Sequence, residues 1–163
     1  MFASENENRI FAGWITVEAR DSQGELLPLT TILDNMPFYM DTLQAPINLN
    51  HSNWTVGRLL DYEQRFNDEA QAPGLFGRGT IFEGYPLHDD VWDAIQDGRL
   101  NQLSLAGQFE MNENGVAEWS GPMEISVTGP AVDSKAVNEA CNITNVSKAK
   151  SKAFKKMFGR VVA

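Results

Sequence analysis

The chain has 163 residues, 42% of them hydrophobic, which suits one compact domain with short extensions and excludes a disordered chain. Its net charge of −9 is uneven: all 22 acidic residues lie at or before Glu139, while residues 148–160 hold six of the 13 basic residues and no acid. An acidic body repels phosphate, so no specific nucleic-acid partner is expected, although the basic tail could meet an acidic one. No apolar run reaches the roughly 20 residues that cross a bilayer, so no membrane partner is expected. The N-terminus is acidic and polar before its apolar part and does not read as a secretory signal. The single cysteine, Cys141, excludes an internal disulfide and fits a reducing compartment. One Cys and two His leave little for a metal cage unless carboxylates dominate, so no metal and no cofactor are expected.

The first element, "RIFAGWITVEAR", alternates apolar and polar residues and reads as a strand. "DSQGELLP" is a turn punctuated by Gly24 and Pro28. "LTTILDNMPFYMDTLQ" reads as helix or loop, broken by Pro37. "APINLNHS" is a short strand ending near His51, and "TVGRLLDYEQRF" and "LFGRGTIFEG" are strands either side of a polar turn. In "YPLHDDVWDAIQDGRL", Pro86 marks a helix start, and Asp89 and Asp90 favour the positive end of the helix dipole. Leu87, Val91 and Ile95 share one face and Gly98 ends the pattern, which predicts an amphipathic helix over 87–97. Strands follow in "LNQLSLAGQFEM", "VAEWSG" and "PMEISVTGPA". A last helix is expected from about Val132 into the basic tail, with Cys141 packed inside it. The fold class read from this order is mainly β with a few flanking helices: a closed barrel or a sandwich. No Gly-rich phosphate loop follows a strand.

Three polar residues stand inside apolar strand patterns: His51, Ser104 and Glu124. A serine hydroxyl is a weak nucleophile until a base takes its proton, and histidine is the usual base near neutral pH. A carboxylate can hold the imidazole tautomer and stabilise its charged form. The three are therefore the parts for acyl transfer. Each also has an ordinary reading: a strand serine bonded to backbone, a strand-end histidine, a glutamate on a half-exposed strand. Ser126, two residues from Glu124 and on the same strand face, competes with Ser104 as nucleophile.

Four segments in order carry a resemblance: "NHSNWTVGRL", "PGLFGRGTIF", "DDVWDAIQDGRLNQLSLAGQF" and "MEISVTGPAVDSKA". Over about residues 10 to 140 the chain resembles the prohead maturation proteases of tailed viruses, relatives of the herpesvirus assemblin serine proteases. The resemblance implies an assemblin-like closed, mostly antiparallel β-barrel over residues 1–145. It implies His51 as general base, Ser104 as nucleophile and Glu124 as third member, with Ser126 hydrogen-bonded near Glu124. The family often has Ser-Ile/Val-Gly-Phe where this chain has Ser-Leu-Ala-Gly-Gln-Phe. Assemblins use a second histidine as third member. The other histidine here, His88, precedes Ser104 at a helix start and is the minor alternative. The Gly129-Pro130 turn is a candidate source of oxyanion-stabilising amides, and Arg58 and Arg78 are candidate electrostatic helpers.

The resemblance further implies a serine endopeptidase that cuts scaffold protein, major capsid protein and itself inside the immature capsid, in the host cytoplasm. A homodimer is compatible with it. The basic tail, residues 146–163, would be the remnant or the start of a scaffold-targeting segment. The alternative is a catalytically silent capsid-assembly scaffold module on the same barrel. A third reading is an unrelated β-barrel binding domain in which Ser104 and His51 never meet.

Overall fold

The computed structural model describes residues 9–20, 24–129 and 140–147. In chain order it contains β1 (Ile10–Val17), α1 (Leu29–Pro37), a π-helical turn (Phe38–Thr42), β2 (Pro46–Leu49), β3 (Thr55–Asn67) and β4 (Ala72–Ile81). There follow α2 (Pro86–Gln96), β5 (Gln102–Met111), β6 (Ala117–Thr128) and β7 (Ile143–Val146). The chain is mostly β, as the sequence predicts. The closed barrel is not what forms. The strands make one seven-stranded sheet in the order β5-β6-β2-β3-β4-β1-β7. The sheet is mixed, because β2 and β6 run parallel while the other neighbours are antiparallel. Among the described residues, its two edges are joined at one isolated bridge, Gln102 to Asn142. A barrel needs a continuous ladder at its seam, and a single bridge does not supply one.

Apolar alternation explains why this sheet curls around a core. Phe11 and Ile15 of β1, Ile47 of β2, Val56 and Leu59 of β3, Leu75 and Ile81 of β4, Leu103 of β5, and Ile125 and Val127 of β6 join one buried cluster. Helix α1 closes it with Leu29, Ile32 and Met36, and α2 with Val91, Trp92 and Ile95. Burying such side chains contributes about 1.5–3 kcal/mol each, which is what holds short strands in place. Helix α1 begins after Pro28, and the Glu18 carboxylate accepts its Leu29 N–H at 2.8 Å.

Three elements differ from the sequence reading. Pro37 does not break the helix: it ends α1, and the chain continues as the π-helical turn, closed by Leu43 N–H to Phe38 O. The strands expected in "VAEWSG" and "PMEISVTGPA" merge into one, β6, over Ala117–Thr128, and Pro122 falls where the register slips opposite Gln108. A proline is tolerated there because no ladder bond is lost. Where the sequence predicts helix from Val132 into the tail, Ile143–Val146 form β7 instead, and Cys141 lies just before that strand. The expected helix start near Val132 and the basic residues from 148 onward lie outside the described residues, as does Pro130. Among the described residues, no helix is long and apolar enough to cross a membrane.

Candidate active site

Three neighbouring strands set the site. Parallel pairing puts Asn48 of β2 beside Ser126 of β6, and antiparallel pairing puts Ser126 opposite Ser104 of β5. Alternation sends Leu103, Ile125 and Val127 into the core and turns Ser104, Glu124 and Ser126 the other way. Glu124 sits one diagonal step from Ser104, opposite Ala106.

His51 lies in the turn that follows β2. Asn50 and His51 have φ of 50° and 57°, and Ser52 N–H bonds Leu49 O at 2.9 Å. Two positive φ values with that closing bond mark the type I′ class of turn. Asparagine tolerates this conformation, whereas for histidine it is uncommon and costs about 1–3 kcal/mol. The surroundings hold it there. Leu49 N–H bonds Trp54 O at 3.0 Å, and Asn50 N–H bonds Val127 O at 3.0 Å. His51 N–H bonds Ser126 Oγ at 3.0 Å. Gly57 sets the strand beneath: it pairs with both Ile47 and Ile81, and a Cβ there would lie 2.0 Å from Thr80 O. Only glycine lets β4 approach β3 this closely here.

The turn aims the imidazole along the row of outward side chains. His51 Nε2 is 2.8 Å from Ser104 Oγ, and His51 Nδ1 is 3.3 Å from Glu124 Oε1. A carboxylate only accepts, so the tautomer with its proton on Nδ1 donates to Glu124 and leaves Nε2 to accept from the Ser104 hydroxyl. Ser104 is 3% exposed, whereas the His51 and Glu124 side chains are 23% and 28% exposed. Ser126 is fully buried and donates its hydroxyl proton to Glu124 Oε1. Buried Tyr39 donates to Pro46 O, at the start of β2. Burial, and secondly the charge of Glu124, push its phenol far above its ordinary value, so it stays neutral.

Beside Ser104 lies a cleft of about 220 Å³. Ile15, Leu27, Leu105 and Phe109 form much of its apolar wall, with Glu25 also on the lining. Cys141 lines it too, its thiol pushed up to about 12 by burial against an opposing hydrogen bond with Val17. The cleft runs beside β5, an edge strand of the sheet. An edge strand bearing Ser104 next to an apolar cleft suits an extended peptide.

The structure brings His51, Ser104 and Glu124 together; it does not bring in the other candidates in the same way. His88, on α2, packs edge-on against Phe82 and Tyr85 with ring centroids 5.9 and 5.3 Å away. Arg78 is ion-paired with Asp61 at 2.8 Å on the β3–β4 ladder, and Arg58 lies on β3 across from Pro46 and Thr80. Gly129 packs against Arg99 O, and its neighbour Pro130 is outside the described residues. The sequence reading missed Tyr39 and the cleft wall from residues 15–17 and 25–27. Only the sheet order brings those segments to the site, and no local pattern announces it.

The fold and this cluster together define a mixed β-sheet protein with a Ser–His–Glu arrangement across three adjacent strands. One solved structure shares the architecture: the bacteriophage T4 capsid assembly protease, gp21, with a TM-score of 0.52, 16% sequence identity, and coverage of 74% of this chain and 79% of that one. At that identity the likeness is one of fold. No protein-family model matches the chain, and no curated protein does.

Proposed function

We propose that this chain is a capsid maturation protease, a serine endopeptidase in which Ser104 is the nucleophile, His51 the general base and Glu124 the residue that orients the imidazole. The observation that carries the reading is the pair of contacts made by one ring: His51 Nε2 at 2.8 Å from Ser104 Oγ and Nδ1 at 3.3 Å from Glu124. The shared fold with a capsid assembly protease supports the substrate class, scaffold and capsid proteins inside the prohead.

The chemistry follows from the geometry. The Ser104 oxygen attacks the scissile carbonyl carbon as its proton passes to His51 Nε2. The imidazolium is stabilised by Glu124 through Nδ1–H. His51 then gives the Nε2 proton to the leaving amine, and the C–N bond breaks, leaving an acyl ester on Ser104. Water enters, gives a proton to Nε2 and hydrolyses the ester, which restores the free enzyme. General-base assistance of this kind accelerates a step by about 10²–10⁴-fold. The substrate would lie extended along β5, with an apolar side chain in the cleft lined by Leu27, Leu105 and Phe109.

The test is to incubate the purified chain beside its Ser104→Ala variant, at high concentration and with the cognate scaffold protein, following intact masses over time. Fragments that accumulate with the unaltered chain alone support the proposal. Their masses give the cleavage motif and reveal whether the chain cuts itself. No fragments from either protein would overturn proteolysis and favour the silent assembly module.

A further inference from the structure

We infer that Ser126 is a positioning residue for the general base, an inference that rests on the serine-protease reading of the same site. Its single hydroxyl joins the backbone of His51 to the carboxylate that the His51 ring also meets. Its oxygen accepts the backbone N–H of His51 at 3.0 Å, and its proton goes to Glu124 Oε1. One group therefore fixes the left-handed backbone of the base and the carboxylate that faces its ring.

The position suits the task. Ser126 stands at the junction of three strands, beside Asn48 of β2 and opposite Ser104 of β5. It is fully buried, so bulk water does not compete for its bonds. An ordinary strand serine bonds nearby backbone carbonyls; here both partners belong to the site. The turn needs such a tether because His51 holds φ 57°, a conformation it leaves readily when released. Asn50 N–H to Val127 O anchors the preceding residue, and the Ser126 hydroxyl anchors His51 itself. Loss of the hydroxyl releases the His51 backbone N–H and leaves Glu124 Oε1 with only the His51 ring to hold it. Both Ser126 bonds go to groups that position the base, the His51 backbone N–H and the Glu124 carboxylate, so its removal lowers the chemical step and leaves substrate affinity alone.

The experiment compares the unaltered chain with Ser126→Ala, Ser126→Thr and Ser126→Val. Peptide cleavage kinetics, labelling of Ser104 by diisopropyl fluorophosphate followed by intact mass, thermal melting, and the ¹⁵N spectrum of the His51 ring are read for each. Ser126→Ala is expected to lower kcat and the labelling rate by about 10- to 100-fold, a usual range for a residue acting through another, with KM unchanged. Ser126→Thr keeps the hydroxyl and restores most of the rate. Ser126→Val has the shape of threonine without the hydroxyl and does not, which decides the matter even if the alanine variant fails to fold. Unchanged kcat and labelling in Ser126→Ala, or equal rates for the threonine and valine variants, overturn the inference. If the unaltered chain neither cleaves nor labels, the protease reading fails, and the ring spectrum still decides. A His51 Nδ1–H signal altered in the alanine and valine variants but kept in threonine supports the tether; identical spectra in all four overturn it.

Discussion

The β1–β4–β3 ladder and the β2–β6–β5 region are built from the same sheet but follow different rules. The first is long and antiparallel, pairing ten positions between β3 and β4 and seven between β1 and β4. The second hangs on β2, four residues long and held to β6 by only three parallel pairs. Of the five non-glycine residues with positive φ among the described residues, four flank β2: Gln44, Ala45, Asn50 and His51. The backbone that departs from easy conformations is therefore concentrated where the candidate chemistry lies. The lesson is a division of labour: one region buries regular apolar side chains and pays for strain in the other.

The division predicts which substitutions alter chemistry and which alter folding. The largest effect is expected at Ser104. Replacing it by alanine removes the proposed nucleophile and should lower kcat by about 10⁶-fold, as loss of a triad member acting as a unit does. His51→Ala should be equally severe, and the double variant no worse than either single one. Progress curves with a scaffold-derived peptide measure all three. Multiplying effects in the double variant would mean that the residues do not act together. Glu124→Gln keeps the shape but loses the charge that stabilises the imidazolium, and should cost about 10⁴-fold in kcat. A loss under tenfold would place the third role elsewhere.

The opposite test lies in the ladder. Leu75 of β4 is fully buried in the main core. Leu75→Ala should destabilise the protein by about 2–5 kcal/mol through lost transfer energy and a residual cavity. Denaturant titration measures that loss. The specific activity of the molecules still folded should stay at the unaltered value. A fall in activity per folded molecule would show that the two regions are not separate.

The sequence made these two regions legible to different degrees. In the ladder, alternation in β1 and turn-bounded apolar runs in β3 and β4 mark the strands nearly to their ends, because each strand has a buried set of apolar side chains. Helix α2 is equally plain, with Val91 and Ile95 buried as their spacing requires. Around the site, His51, Ser104 and Glu124 stood out as polar residues in apolar segments, yet their meeting depends on β2 lying parallel to β6 across 73 residues of chain. Strand neighbours are chosen by long-range packing, and a single sequence carries no local mark of them. The same reason hid the open sheet: whether the edges join along a ladder or at one bridge depends on register at Gln102 and Asn142, not on composition.

The smallest predicted effect is an alkaline one, and it crosses the boundary between the regions. Cys141 lines the cleft beside Ser104 and is buried, its thiol pushed from 9.0 up to about 12. The unfolded chain loses this proton near pH 9 while the folded chain keeps it. Above that pH the unfolded state binds fewer protons, so stability falls as pH rises, by up to about 1.4 kcal/mol per pH unit from this group. Tyr39 adds a second loss of the same sign above pH 10, because its folded form also resists ionisation. Denaturation free energies measured at pH 8, 9 and 10 should therefore decline. Cys141→Ala should flatten the fall between pH 9 and 10 and leave the later tyrosine loss in place. Cys141 is held by the last described strand against the end of β1, so the same titration reports whether that seam stays closed beside the candidate nucleophile. An unchanged slope in the alanine variant would mean that the thiol meets water, and that the cleft opens further than its packing in this structure indicates.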